Sequence, residues 1–172
     1  MHWIDIIVII ILILTFIGGL KEGAVKNFFS LVALIIAIPL TGLSYRLIAS
    51  IFSFLPGTNW ENFLGFFITM GIISVILHFI FLLPRKFIQK IWKKGCLFRL
   101  LGGVLNLFEG AIGLTVLTLV LRAYPIFDWL ERWVSSSGIL MWLVDKFGFV
   151  QAMLPGIFLQ QAAPLVNIAN GA

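Results

Sequence analysis

Glu109 stands alone in an uncharged stretch that runs from about Leu100 to Leu121 and is closed by Arg122. If that stretch lies in lipid, a charged carboxylate there costs about 2.5–3.5 kcal/mol to insert. It is then either protonated or turned to a polar interior where it pairs. Gly102, Asn106, Glu109 and Gly113 recur at i, i+4, i+7 and i+11, a narrow stripe on one helix face. Gly103 and Gly110 widen it. Small residues on such a stripe let another helix approach closely, and polar ones can bond across the contact. Two readings follow. Either the stripe packs a neighbouring helix, with Glu109 bonded to it, or it lines a polar path or the axis of a homo-oligomer. His78 has no second His, Cys or carboxylate near it in sequence, so it reads as a packing group. A meeting with Glu109 across a bundle stays open.

A second concentration of charge lies outside the apolar runs. From Arg85 to Arg99 there are six basic residues and no acidic one. Lys86, Lys90, Lys93 and Lys94 take one side of a helical pattern, and Phe87, Ile88, Ile91 and Trp92 take the other. This predicts a helix in the headgroup plane, with the lysines on anionic lipid or on an acidic partner. The plainer reading is a topology determinant. No G-x-S-x-G elbow, H-E-x-x-H pair or phosphate-binding Gly-rich loop is present, and Cys96 is the one cysteine. No catalytic, cofactor-binding or metal-ligating residues are expected, and no enzyme.

The elements that position these residues follow from composition. Of 172 residues, 61% are hydrophobic and 11% charged, where a soluble domain has about 25% charged. That excludes a soluble enzyme, a nucleic-acid module and a disordered tail. The net charge of +5 reads instead as cytoplasmic Lys and Arg. Four runs are long enough to span: Trp3–Leu20, about Asn27–Tyr45, Phe63–Leu83 and about Leu100–Leu121. Asp5, in the first turn of the first run, suits the positive end of a helix dipole at the interface. No cleavable signal is visible, so the first run is expected to stay.

Basic residues set the orientation. The loops after the first and third runs carry eight Lys and Arg, and the opposite side carries four. Both termini are therefore expected outside the cytoplasm. Trp3, Tyr45, Trp60, Tyr124, Trp129 and Trp133 fall near run ends on that outer side, as headgroup-layer aromatics should. After the fourth run, Ile126, Trp129, Leu130, Trp133 and Val134 face away from Asp128, Glu131 and Arg132. A second such segment, Ile139 to Phe147, follows the turn at Ser135–Gly138. Both predict interfacial helices, either a membrane-anchoring skirt or a docking surface for an envelope partner. From Phe147 onward, Gln, Asn and Pro are too frequent for another span. The expected fold is an all-α membrane bundle of four transmembrane helices with amphipathic interfacial helices. Residues 1–122 form the four-span domain, and residues 123–172 the interfacial helices and tail.

Three features in this order resemble the colicin V production protein (CvpA) family. They are Trp3-Ile4-Asp5, then Gly23-Ala24-Val25-Lys26 followed by Ser30-Leu31, then a basic loop entering a Gly-rich last span at Phe98-Arg99-Leu100-Leu101-Gly102-Gly103 through Glu109-Gly110. The resemblance covers roughly residues 3–122. At Glu109 the chain departs from the family, whose members look basic before the corresponding glycine. The resemblance implies a bacterial inner-membrane protein needed for producing or exporting a peptide toxin. We therefore expect a non-enzymatic scaffold or accessory, with the basic loop on anionic lipid and an envelope or export partner. The alternative is a small oligomeric channel or transporter with its path along the fourth span.

Overall fold

Inside a bilayer every backbone N–H and C=O must find a partner within the protein, and an apolar run meets that demand as helix. The computed structural model describes residues 3–53, 57–91 and 95–154, and no strand occurs among them. Four long helices are each long and apolar enough to cross a membrane: α1 (Trp3–Glu22), α2 (Ala24–Ala49), α3 (Thr58–Ile91) and α4 (Cys96–Ala123). A 3₁₀ turn at Ser50–Phe52 extends α2. The chain is an all-α, multi-pass membrane protein.

The helices overrun the apolar runs, at both ends in α2, α3 and α4. Pro84 does not end α3, which continues through Arg85 and Lys86 to Ile91. The basic segment therefore starts as an extension of the third span, where the sequence suggested a separate in-plane helix. Proline removes one backbone hydrogen bond, and apolar residues on both sides hold the rest of the helix. Lys93 and Lys94, and the side chain of Lys90, lie outside the described residues.

Connectivity is set by the turn between α1 and α2. Gly23 alone separates the two helices, at φ +86°, a conformation suited to glycine. Beyond that turn α1 and α2 diverge, and α4 packs between them. The packing order is α1, α4, α2, α3. Where α1 meets α4, Gly19 faces Gly102: a Cβ on Gly102 would lie 2.6 Å from the Gly19 carbonyl oxygen, and one on Gly19 would overlap the Gly102 carbonyl. Lipid offers no hydrophobic drive for this contact, so close packing and interhelical hydrogen bonds hold it. Asn27 supplies two such bonds. Its buried side-chain N–H₂ donates to the carbonyls of Gly19 (3.1 Å) and Gly102 (2.9 Å), tying the turn to α4.

Three short helices follow: α5 (Asp128–Ser136), α6 (Gly138–Lys146) and α7 (Gly148–Met153). They fold back onto the bundle. Val134, Leu140 and Leu143 bury with Val8 of α1 and Ala111 and Leu121 of α4. The face read from sequence on α5 is thus divided: Val134 turns inward, whereas Trp129 and Trp133 stay exposed. Those two indoles meet edge to face at 4.5 Å, and Trp133 meets Trp3 at 4.8 Å. Residues 155–172, the tail read as non-spanning, lie outside the described residues.

Candidate functional site

Glu109 points from α4 toward α2, where Ser30 Oγ donates to its Oε1 at 2.6 Å. Both line a partly open cavity of about 180 Å³ bordered by α2, α3 and α4. The other polar groups on its wall are Lys26 of α2 and Ser74, His78 and Arg85 of α3. Helix geometry explains the assembly. Lys26 and Ser30 are one turn apart, and Ser74, His78 and Arg85 fall at i, i+4 and i+11 on a single face of α3. Phe29, Ala33, Leu34 and Phe81 complete the wall with apolar surface. Lys26 also pairs with Glu22 one turn back.

Its depth is fixed by the α1–α2 turn. Gly102 packs against Gly23 and Ala24, so it lies level with that turn. Seven residues separate Gly102 from Glu109, and seven separate Gly23 from Ser30. At 1.5 Å per residue both side chains sit about 10 Å inward from the turn. Sequence position puts Glu109 midway along the apolar run. In the fold it is nearer the basic end, because the first residues of α4, from Cys96 to Leu101 and exposed apart from the half-buried Phe98, precede the level of the turn. On the other side of Glu109 the bundle is tight: Ile38, Phe66, Ile112, Val116 and Val120 are at most 3% exposed, with Thr41, Thr115 and Thr118 buried among them. The cavity lies near the basic end, and Leu34 of its wall packs against that core.

The stripe read from sequence is shared among different neighbours. Gly102 meets the Gly19 carbonyl, and Asn106 donates to the Thr15 carbonyl, so both serve α1. Gly103 lies against Phe16 and Leu20, and Gly110 against Thr15. Glu109 turns its side chain to Ser30 of α2, and nothing lies within 4 Å of a Cβ on Gly113. The stripe does bring together Gly102, Asn106 and α1, but it does not bring Glu109 or Gly113 to that contact. Lys86 is exposed on the α3 extension. His78, read as a packing group with a meeting with Glu109 left open, lines the same cavity as Glu109.

Two polar contacts at the opposite end were not legible as sites. Asp5 is 5% exposed and accepts from Ser137 Oγ (2.6 Å) and from the Ile139 backbone N–H (3.3 Å). Ser137 Oγ in turn accepts from the Leu140 N–H and caps α6. Asp5 thus stands buried at the start of α6 and not free at the interface. The signal in the sequence was an acid in the first turn of a span together with a Ser-rich turn far downstream. The second contact pairs the hydroxyls of Tyr45 and Tyr124 at 2.8 Å, with the Arg46 guanidinium 3.5 Å from Tyr45. Tyr124 lies just past the end of α4, and burial, followed by that hydrogen bond, pushes its phenol above the ordinary range.

These groups form a recognition set: charged donors, one carboxylate acceptor, an imidazole and hydroxyls. Among the described residues no three His, Cys, Asp or Glu side chains gather as a metal site would need. Fold and site define a four-span α-helical membrane protein with a polar pocket near its basic end. The model of the colicin V production proteins matches residues 4–152, reaching through α5 and α6 into α7. The chain belongs to the colicin V production protein family. No curated protein and no solved structure matches it.

Proposed function

We propose that the protein is a bacterial inner-membrane component that supports production or export of a peptide toxin of the colicin V type. It acts as a scaffold or accessory without catalysis of its own. Its orientation puts both termini on the outer side and the basic segment with Lys86, Lys90, Lys93 and Lys94 in the cytoplasm, against anionic headgroups or an acidic partner. Family membership supports the process. The scaffold role is carried by one observation: Gly102, Gly103 and Gly110 are consumed by α1 within a single chain. That leaves little of the stripe to line an oligomer axis, and the cavity beside Glu109 abuts the core at Leu34. The exposed indoles of α5 offer an outer surface for the bilayer or an envelope partner.

The alternative, a small oligomeric channel along α4, is favoured by Glu109 itself, an acid about 10 Å inside the bundle. One experiment separates them. A variant with Lys86, Lys90, Lys93 and Lys94 all changed to Gln replaces the parent in a toxin-secreting strain, and secreted toxin is measured beside membrane abundance. Parent protein in liposomes is assayed for ion flux. The scaffold reading expects lost secretion at normal abundance and no flux. Flux that falls in Glu109→Gln overturns it in favour of the channel.

A further inference from the structure

The cavity among α2, α3 and α4 is divided in charge, and its polar groups are only partly used. Arg85 and His78 line it, and neither makes a hydrogen bond or ion pair among the described residues. Lys26 is shared with Glu22. Glu109 takes the Ser30 hydroxyl on Oε1, while Oε2 accepts none among the described residues. A simple anion drawn to Arg85 and Lys26 would meet the Glu109 carboxylate as a like charge. A simple cation drawn to Glu109 would meet the two basic groups. The complementary ligand carries both signs, a short link apart, within about 180 Å³.

The anionic end is best a phosphate. The guanidinium of Arg85 offers the forked donors that phosphate oxygens accept in pairs, and Lys26 adds a compact charge. The cationic end must donate a hydrogen bond to a carboxylate, which a primary ammonium does and a quaternary one cannot. Phe29, Ala33, Leu34 and Phe81 give the wall an apolar strip along which hydrocarbon can lie. On α3 the cavity residues are flanked by Phe79, 67% exposed, and Leu83, 77% exposed. Such side chains on a spanning helix face lipid tails. We propose that this cavity binds a phosphoethanolamine group, with its phosphate on Arg85 and Lys26 and its ammonium on Glu109. A membrane phospholipid and a soluble phosphate ester both present that group. The proposal stands independently of the scaffold reading.

Nanodiscs holding phosphatidylethanolamine, phosphatidylcholine and phosphatidylglycerol in equal parts supply the test. The protein is released from them and the retained lipid is counted by native mass spectrometry. In parallel, soluble phosphoethanolamine and phosphocholine are titrated calorimetrically onto delipidated protein. The expected result is retention of the ethanolamine lipid over the choline lipid. Arg85→Gln and Glu109→Gln should each weaken it about tenfold or more, as loss of one charge-assisted hydrogen bond does. Arg85 is partly exposed and makes no hydrogen bond among the described residues, so its variant keeps the proposal testable even if Glu109→Gln folds poorly, with tryptophan fluorescence confirming the fold. Binding of soluble phosphoethanolamine through the same residues, without lipid retention, assigns the site to the soluble ester. Equal retention of ethanolamine and choline lipids, insensitivity to both variants, or no binding of any probe by folded parent overturns the proposal.

Discussion

Asp5 and Ser137 are 132 residues apart in the chain, and the Ser137 hydroxyl donates to the Asp5 carboxylate at 2.6 Å. This bond joins the first turn of α1 to the cap of α6, adding a polar latch to the apolar packing that seats the C-terminal helices on the bundle. Buried hydrogen bonds to a charged group are worth about 1.5–3 kcal/mol, and the groups left unpaired add to the loss. Asp5→Ala should therefore destabilise the α5–α6 region by about 2 kcal/mol or more. Ser137→Ala keeps the Asp5–Ile139 contact but also removes the α6 cap on the Leu140 N–H, so it should cost a comparable amount, about 2 kcal/mol. Limited proteolysis at Ser135–Ser137 reports the release directly. Unchanged cleavage rates in Asp5→Ala would show that apolar burial of Val134, Leu140 and Leu143 holds the helices without the latch.

The α1–α4 crossing gives a sharper contrast between glycines. Gly19→Ala drives a methyl into the Gly102 backbone, which has no rotamer by which to yield. Overpacking of this kind costs about 1–3 kcal/mol, occasionally more. Gly113→Ala on α4 meets nothing within 4 Å and should be neutral or slightly stabilising, since Ala favours helix over Gly. Heating each variant in detergent and following the monodisperse fraction by size exclusion checks both. Equal midpoints for the two variants would mean that the helices separate at this crossing at little cost.

Span number and the α5–α6 pair were legible because each follows from local periodicity and composition. Of the aromatics read as a headgroup layer, Tyr45 and Tyr124 are instead buried with their hydroxyls paired. The third span's end was not: Pro84 followed by Arg85 reads as a stop, yet α3 carries Arg85 onward as helix. The candidate site was only half visible. Glu109 stood out as an acid in an apolar run, but its partner Ser30 looks like any serine of a membrane helix. Which residue meets it depends on α4 entering between α1 and α2, and no pattern along one helix encodes that order. The same applies to His78, whose place beside Glu109 comes from α3 packing on α2.

Cys96 offers a test of orientation that needs no substitution. It is exposed at the start of α4, and no other cysteine is present. With the basic segment in the cytoplasm, a membrane-impermeant maleimide added to intact spheroplasts should leave the protein unlabelled. The same reagent should label it after permeabilisation. Labelling of intact spheroplasts would invert the topology and move the basic end, with the phosphate-binding pocket, to the outer side.

Tyr124 gives the pH dependence its sign. Its phenol is raised first by burial and then by the Tyr45 hydrogen bond, so the fold favours the protonated form. A raised acid of this kind lends stability in full below the unfolded value, about pH 10 for tyrosine, and loses it as pH climbs through the folded value. Stability should hold flat through neutral and mildly alkaline conditions and fall only beyond about pH 10. The chain has two tyrosines, so Tyr45→Phe leaves Tyr124 as the one tyrosinate chromophore. Because burial is the larger cause, Tyr124 in that variant should still ionise above the ordinary phenol range by near-ultraviolet absorbance. A transition near pH 10 in folded Tyr45→Phe would reverse the ranking and make the hydroxyl pair the main cause. Tyr124→Phe should cost about 1 kcal/mol, the net value of one neutral hydrogen bond, in thermal unfolding at neutral pH.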